Sequence, residues 1–359
     1  MSDHKPSLFI PGPTEVFPEV LAAMSRPVIS HRGPEIEAVT ADVLAKLKLV
    51  FRTSNECFVA LSAATGIMEA AVRNLSRKRI LVTVCGAFSD RQYQVAVKNG
   101  KAADALRVEP GEIIRPEMVA EALKKNDYDL VTVVHSETST GVLNPIKDIA
   151  KVVQQHDDVL LAVDCVSSLT GAPILVDEWG IDLAFAGIQK AIAMPPGLAL
   201  FTVSGRAMER SGTMENKGQY FDFHNYRKMA AKNQSPATTN TSLMVALAFQ
   251  LGRILDEGLE NRWQRHEEMA ALVRGRLSRF NLFPQPDFMS PTVSVFRNDE
   301  GMNIQQLIDA VRKTGKLFGN GYGALKEKTF RIGHMGDLQK SHMEDFLDTF
   351  EECLAAIGA

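Results

Sequence analysis

Residues 160–197 read LLAVDCVSSLTGAPILVDEWGIDLAFAGIQKAIAMPPG. Two short apolar runs, 160–163 and 181–186, have the length and composition of buried strands. Asp164 stands at the end of the first. Lys190 follows the second, just ahead of Met194-Pro195-Pro196-Gly197, through which no regular helix continues. A connection of this length joins two parallel strands by a crossover. Parallel strands bring the residues beyond their carboxyl ends to one edge of the sheet, where α/β proteins bind ligands. The stretch therefore predicts a carboxylate and an amine at a common ligand-binding edge.

Reading outward, strand-like runs at 57–61, 79–84, 105–108, 130–134 and 198–203 alternate with helical patterns at 35–51, 67–75, 91–99, 116–125 and 146–155. Such alternation predicts an α/β architecture, a mainly parallel sheet covered by helices. Residues 212–231 read as irregular, aromatic and polar, and 233–239 as a turn. A long helical region begins near 242, and its apolar spacing runs on through Met269, Leu272 and Val273. After residue 283 the pattern becomes α+β: strand 292–296, helix 304–314, a Gly-rich loop at 319–323, strand 329–332 and helix 341–357. The expected organisation is an N-terminal arm (1–20), a large domain (21–258) and a small C-terminal domain (259–359).

At 359 residues the chain is too long for one ordinary core. With 45% hydrophobic and 23% charged residues it reads as a soluble globular protein. Forty basic against 43 acidic residues leave a net charge of −3, no footprint for nucleic acid or an anionic membrane. Cys57, Cys85, Cys165 and Cys353 are scattered without CxxC or metal-ligand spacing, as expected of small core residues in a reducing compartment. The N-terminus lacks a long apolar run, so the cytoplasm is the expected location.

Other candidates lie at strand ends. Gly12, between Pro11 and Pro13, lets backbone approach something closely. His31-Arg32 precedes a helix and suits an anion, or a solvated loop equally well. Ala64-Thr65-Gly66 leads from a strand into a helix. Its amides and hydroxyl suit a phosphate, though Thr65 also fits an ordinary cap. It is neither GxGxxG nor a P-loop. Phe88, just past a strand end, is either core or the cover of a flat ring. The hydroxyl-rich 135–141 segment is either a satisfied turn or a binder of a polar substituent.

Taken together, FIPGPTE (9–15), SHRGPE (30–35), SAATGIMEAA (62–71), CGAFSDR (85–91), HSETSTGVLNP (135–145), VDCVSSL (163–169), IQKA (188–191) with its PPG, NQSPAT (233–238) and FRIGHMG (330–336) occur in an order that resembles the class V aminotransferases. These are pyridoxal-phosphate enzymes of fold type I, and the likeness covers nearly the whole chain. It is nearest to the alanine/serine–glyoxylate group, with phosphoserine-aminotransferase-like features. The resemblance implies that Lys190 holds the cofactor's aldehyde carbon covalently and moves the substrate's α-proton. Asp164 would pair with the pyridine nitrogen, Phe88 stack on the ring and Thr138 bond its phenolic oxygen. Ala64, Thr65 and Gly66 would bind the phosphate with Gln189, and Gln234 and Ser235 of a second subunit would complete that cup, which implies a homodimer. Arg331 would fork onto the substrate carboxylate.

Three departures stand out: Ser62-Ala63-Ala64-Thr65 where glycines are common, Cys85 where Asn is frequent, and Gly187-Ile188 where serines are common. None removes a catalytic role. The resemblance implies amino transfer between alanine or serine and a 2-oxo acid such as glyoxylate or pyruvate. The alternative is phosphoserine with 2-oxoglutarate, for which His31-Arg32 would be the extra phosphate anchor. A cysteine desulfurase would need a cysteine on a mobile loop, and 319–323 has none.

Overall fold

The strand carrying Asp164, Leu160–Asp164, is the centre of a seven-stranded sheet in the computed structural model, which describes residues 7–358. The strand order is Glu56–Ala60, Ala199–Val203, Leu183–Gly187, Leu160–Asp164, Leu130–Val134, Ile80–Val84 and Ala103–Arg107. Only Ala199–Val203 runs against the others, antiparallel to both of its neighbours. Five of these strands are buried at every position. Helices cover both faces, which is why the strands read as continuous apolar runs and not as alternation. In register, Val134 pairs with Asp164 and Asp164 with Phe185. Asp164 therefore ends its strand at the carboxyl edge, and Lys190 lies three residues beyond the end of Leu183–Gly187 along that edge.

Two helices begin earlier than their apolar periodicity suggests. Ala64–Leu75 starts directly after Ala63, and Ala87–Lys98 directly after Gly86. The second shift places Phe88 in the first helical turn. The stretch expected to be irregular, 212–231, contains the helix Phe223–Ala230, started by the Asp222 carboxylate accepting from the His224 amide. Helix Thr241–Glu257 ends at Gly258, whose φ of 83° breaks it from Leu259–Arg276.

A four-stranded sheet lies beyond this break, in the order Ser7–Phe9, Lys316–Asn320, Thr329–Gly333, Val293–Arg297. The N-terminal strand thus belongs to the sheet built by the C-terminal part, pairing in parallel with Lys316, Leu317 and Phe318. The expected Gly-rich loop is half strand: Gly319 is the partner of Arg331. Phe9, Phe296, Phe318, Phe330, Phe346 and Phe350 fill the core between this sheet and its helices. The consequence for function is that the arm enters from the small sheet and crosses to the large one, reaching Lys190 on the way.

Candidate active site

Lys190 is buried, and its Nζ donates to the Pro11 carbonyl. Gly12 follows with a φ of 116°. A Cβ at that position would lie 2.4 Å from Lys190 Cδ, so any other residue would have to push the lysine aside and strain the backbone at this φ. Thr14 continues the contact: its amide donates to the Gln189 carbonyl and its hydroxyl to the Lys190 carbonyl. Burial, with Arg331 nearby, brings the Lys190 ammonium down to about 8, against the opposing pull of Asp164 and Glu137. An amine in that range has a substantial neutral fraction near pH 7.5 and can act as nucleophile and base.

Asp164 faces the same cavity of about 160 Å³ as Lys190. Burial pushes its carboxyl up to about 7, opposed by the Val166 amide, which donates to Oδ1 at 2.9 Å. Gln92 Nε2 stands 3.5 Å from Oδ2, and Gln92 Oε1 is itself buried without a partner. A carboxyl so short of cations invites a positively charged ligand atom. The Phe88 ring forms one wall, with Lys190 Nζ 5.6 Å from its centroid. The helix Ala64–Leu75 brings its first turn, Ala64 and Thr65, to the cavity lining, with no side-chain cap from Ala63. The Gly66 amide donates to the Ala63 carbonyl at 2.9 Å, and the uncapped helix start and its dipole favour an anion. Gln189 lines the cavity as well. Gly66 is enclosed, since a Cβ there would meet Ser62 Oγ at 2.2 Å and Phe221 Cζ at 2.6 Å.

Thr138 lines the cavity through its buried side chain, while its carbonyl accepts from Arg331 Nη1 at 3.3 Å. Arg331 Nε donates to the Asn320 carbonyl at 2.8 Å, and the guanidinium lies 5.5 Å from the Tyr322 ring centroid. Burial lowers Arg331 to about 10, which leaves it cationic at neutral pH.

Four expected site residues are not brought there within one chain. Gln234 and Ser235 border a separate cavity beside Phe58 and Tyr226, where Gln234 Nε2 donates to Glu37 at 2.7 Å. His31 and Arg32 sit in an exposed loop, and the Arg32 guanidinium turns back onto the His31 carbonyl at 3.3 Å. Neither pair lines the Lys190 cavity.

Other residues join the site that motif reading passed over. Glu137 is fully buried and accepts from the Phe88 amide, the Ser89 amide and both the Ser89 and Ser139 hydroxyls. Arg91 lies over the Phe88 ring and reaches the Tyr322 hydroxyl at 3.3 Å, and Tyr322 is tilted against Phe88 with centroids 5.2 Å apart. Phe88, Arg91 and Gln92 share one face of a helix by their spacing, a signal visible once the helix starts at Ala87.

An amine of lowered proton affinity, a cation-seeking carboxyl, an aromatic wall and an uncapped helix start fit an aldehyde, a ring nitrogen, a flat ring and a phosphate in turn. That donor set matches pyridoxal phosphate. Among the described residues no cluster suits a metal ion, and no helix is long and apolar enough to cross a membrane.

Comparison with known proteins gives the same answer. The family model described as Aminotransferase class-V matches residues 7–296. The chain is 39% identical to an uncharacterised aminotransferase of Methanocaldococcus jannaschii, over 99% of this chain and 94% of that protein. It is 32% identical to the L-aspartate–glyoxylate aminotransferase of Paracoccus denitrificans, over 100% and 93% respectively. The solved alanine–glyoxylate aminotransferase of Nostoc sp. superposes with a TM-score of 0.94 at 28% identity, covering 99% of this chain and 96% of that one.

Proposed function

The chain belongs to the class V aminotransferases, fold type I enzymes that depend on pyridoxal phosphate, and from that footing we propose that it moves an amino group between alanine or serine and a 2-oxo acid such as glyoxylate or pyruvate. The observation that carries this reading is the meeting of Lys190, Asp164 and Phe88 on one buried cavity, with Arg331 reaching its wall through Thr138. When bound, the cofactor supplies an aldehyde carbon for the amino group and a ring that withdraws electrons from the substrate α-carbon.

The protein's part is to bind, orient and move a proton. Arg331 forks onto the α-carboxylate. Lys190 Nζ, once free and partly neutral, would accept the substrate's α-proton and pass it on along the same face of the bound cofactor. Asp164 would keep a proton on the ring nitrogen, Phe88 would cover the ring and the Thr138 hydroxyl would meet the phenolic oxygen. The first turn of Ala64–Leu75, with Ala64, Thr65, Gly66 and Gln189, takes the phosphate. Gly12 closes the backbone over the amine.

Gln234 and Ser235 serve a second copy's phosphate cup in this reading, which makes the active form a homodimer with shared sites. That they border a different cavity of their own chain supports that role. All four cysteines are free, which supports a cytoplasmic location. Phosphoserine as substrate would need His31-Arg32 as its second anchor; like Gln234 and Ser235 this loop lines no part of its own chain's cavity, so its placement favours neither substrate.

The test is a single-turnover screen. The cofactor-loaded protein is mixed separately with alanine, serine, phosphoserine and glutamate, and conversion to the pyridoxamine form is followed by absorbance. Alanine or serine is expected to convert it. Reaction with phosphoserine and glutamate alone overturns the assignment. The intact, cofactor-loaded protein is expected to show a borohydride-bleachable band, and Lys190→Ala should lose it.

A further inference from the structure

Lys190 opens a turn whose successive carbonyls are held by buried side chains from distant parts of the chain. Thr14 Oγ1 donates to the Lys190 carbonyl at 2.9 Å. The Ala191 carbonyl receives two donors, Thr170 Oγ1 at 3.0 Å and Arg262 Nη2 at 2.8 Å. Gln250 Nε2 donates to the Ile192 carbonyl at 2.8 Å. Asp337 ties two of these holders, Arg262 and Gln250, together. Its Oδ1 accepts from Arg262 Nη2 at 2.9 Å, and its Oδ2 from Gln250 Nε2 at 3.0 Å and Arg253 Nη1 at 2.7 Å.

Asp337 is not placed at random. It comes after the strand Thr329–Gly333, which carries Arg331. The connecting Gly336 lies so close to the Lys190 turn that a Cβ there would stand 2.9 Å from Ala193 Cβ. Two non-glycine residues next to this network have left-handed backbone, Thr170 (φ 70°) and Ala193 (φ 59°). For a β-branched residue such as Thr170 this conformation persists only where its surroundings over-determine it, and such outliers gather at functional sites. A buried arginine–aspartate pair is by itself a poor source of stability. Its placement here calls for another reason.

We propose that Arg262, braced by Asp337, is a positioning residue for Lys190: its guanidinium ties the Ala191 carbonyl to the acid beyond the Arg331 strand, and so fixes the amine relative to the substrate's carboxylate clamp. The inference rests on the roles assigned above to Lys190 and Arg331. Arginine suits the task because one nitrogen, Nη2, offers two hydrogens in a rigid plane, one to each acceptor. Nη1 meanwhile donates to Glu257 at 2.7 Å. A lysine would keep the charge beside Asp337 and Glu257 but could not bridge both acceptors in that geometry.

The charged groups that act on the Lys190 amine are Arg331, Asp164, Glu137 and Arg91. None is altered by Arg262→Lys, so a change in Lys190 behaviour reports position and not charge. In cofactor-free protein, acylation of Lys190 by acetic anhydride is followed by mass spectrometry of its peptide across pH. The midpoint is expected to rise from about 8 by about one unit in Arg262→Lys, as the loosened amine reaches water. Pyridoxal phosphate capture should weaken about tenfold. The half-reaction rate constant should fall about 100-fold with half-saturation by amino acid unchanged, the cost of roughly an ångström of misplacement.

Thr170→Val removes only the second donor to Ala191 and should move all three readouts the same way by less. A lower melting temperature with acylation midpoint, capture and rate constant unmoved overturns the proposal, because the pair then serves folding alone. Should Arg262→Lys fail to fold, Asp337→Asn, which leaves Arg262 in place but weakens its brace, takes its part, and wild-type readouts there overturn the proposal equally. A wild-type protein that reacts with no amino acid would defeat the transamination reading, yet acylation and capture would still decide whether the pair positions Lys190.

Discussion

Gly12 and Lys190 are packed so closely that a Cβ on Gly12 would overlap Lys190 Cδ at 2.4 Å and Cε at 2.5 Å unless the lysine moved. In the proposed role of Lys190 the colliding atoms belong to the chain that would swing toward the cofactor. Gly12→Ala is therefore expected to displace the amine and to strain a backbone at φ 116°. Folding should survive at a cost of about 1–3 kcal/mol, while the borohydride-bleachable absorbance is largely lost. Reductive trapping and thermal melting of the same sample separate the two effects. An alanine variant that traps cofactor like wild type would show that the arm yields freely.

Asp164 gives a pH dependence whose sign is set by its burial. Its folded-state carboxyl titrates at about 7, well above the ordinary carboxylate value of about 3.9. Between those values the folded state binds a proton that the unfolded state has released, so stability of the cofactor-free protein falls as pH rises from about 4 to about 7. Asp164→Asn removes that dependence. The variant's cofactor-free form should melt higher than wild type at pH 8, by an amount bounded at about 4 kcal/mol, yet transaminate far more slowly. Calorimetry at pH 5 and 8 checks it: equal pH slopes in the two proteins would mean that Asp164 is ionised throughout.

Much of this was legible because two signals reinforce each other. Strands such as Leu130–Val134 and Leu160–Asp164 are apolar at every position since both sheet faces are covered, and that pattern survives in sequence. Asp164 and Lys190 stood out as the polar residues at the ends of such runs. The N-terminal strand did not, because its partner Lys316–Asn320 lies at the far end of the chain and no local pattern records the pairing. Glu137 was hidden among hydroxyl residues, and its role comes from a helix start that only the fold brings over it. Gln234, Ser235, His31 and Arg32 were legible as motif members, but one chain does not carry them to its own cavity.

Glu137 should prove a stability residue with a functional echo. Its carboxylate accepts at 2.9 Å from the Ser89 amide and at 2.6 Å from the Ser139 hydroxyl, at the positive end of the helix that carries Phe88. Glu137→Gln replaces one acceptor oxygen by a donor among donors. We expect a loss of about 1–3 kcal/mol, read by denaturant titration, and weaker cofactor binding as the Phe88 wall loosens. Unchanged stability would indicate that the amide rotates into a satisfied arrangement.

Arg331→Lys tests the carboxylate clamp without removing its charge. The native guanidinium spends Nε on the Asn320 carbonyl and Nη1 on the Thr138 carbonyl, which orients its remaining hydrogens. An ammonium cannot keep both anchors and still present two parallel donors to a carboxylate. Loss of one charge-assisted bond, about 1.5–3 kcal/mol, should raise KM for the amino acid about 10- to 150-fold. The rate constant at saturation should change much less, because the carboxylate is bound alike before and during proton transfer. Since burial sets the native guanidinium at about 10, carboxylate affinity should be flat through neutral pH and fall as pH rises through that value. A large fall in rate constant with KM intact would instead place Arg331 in proton transfer, and the clamp would have to be sought elsewhere on the cavity wall, beginning with Arg91.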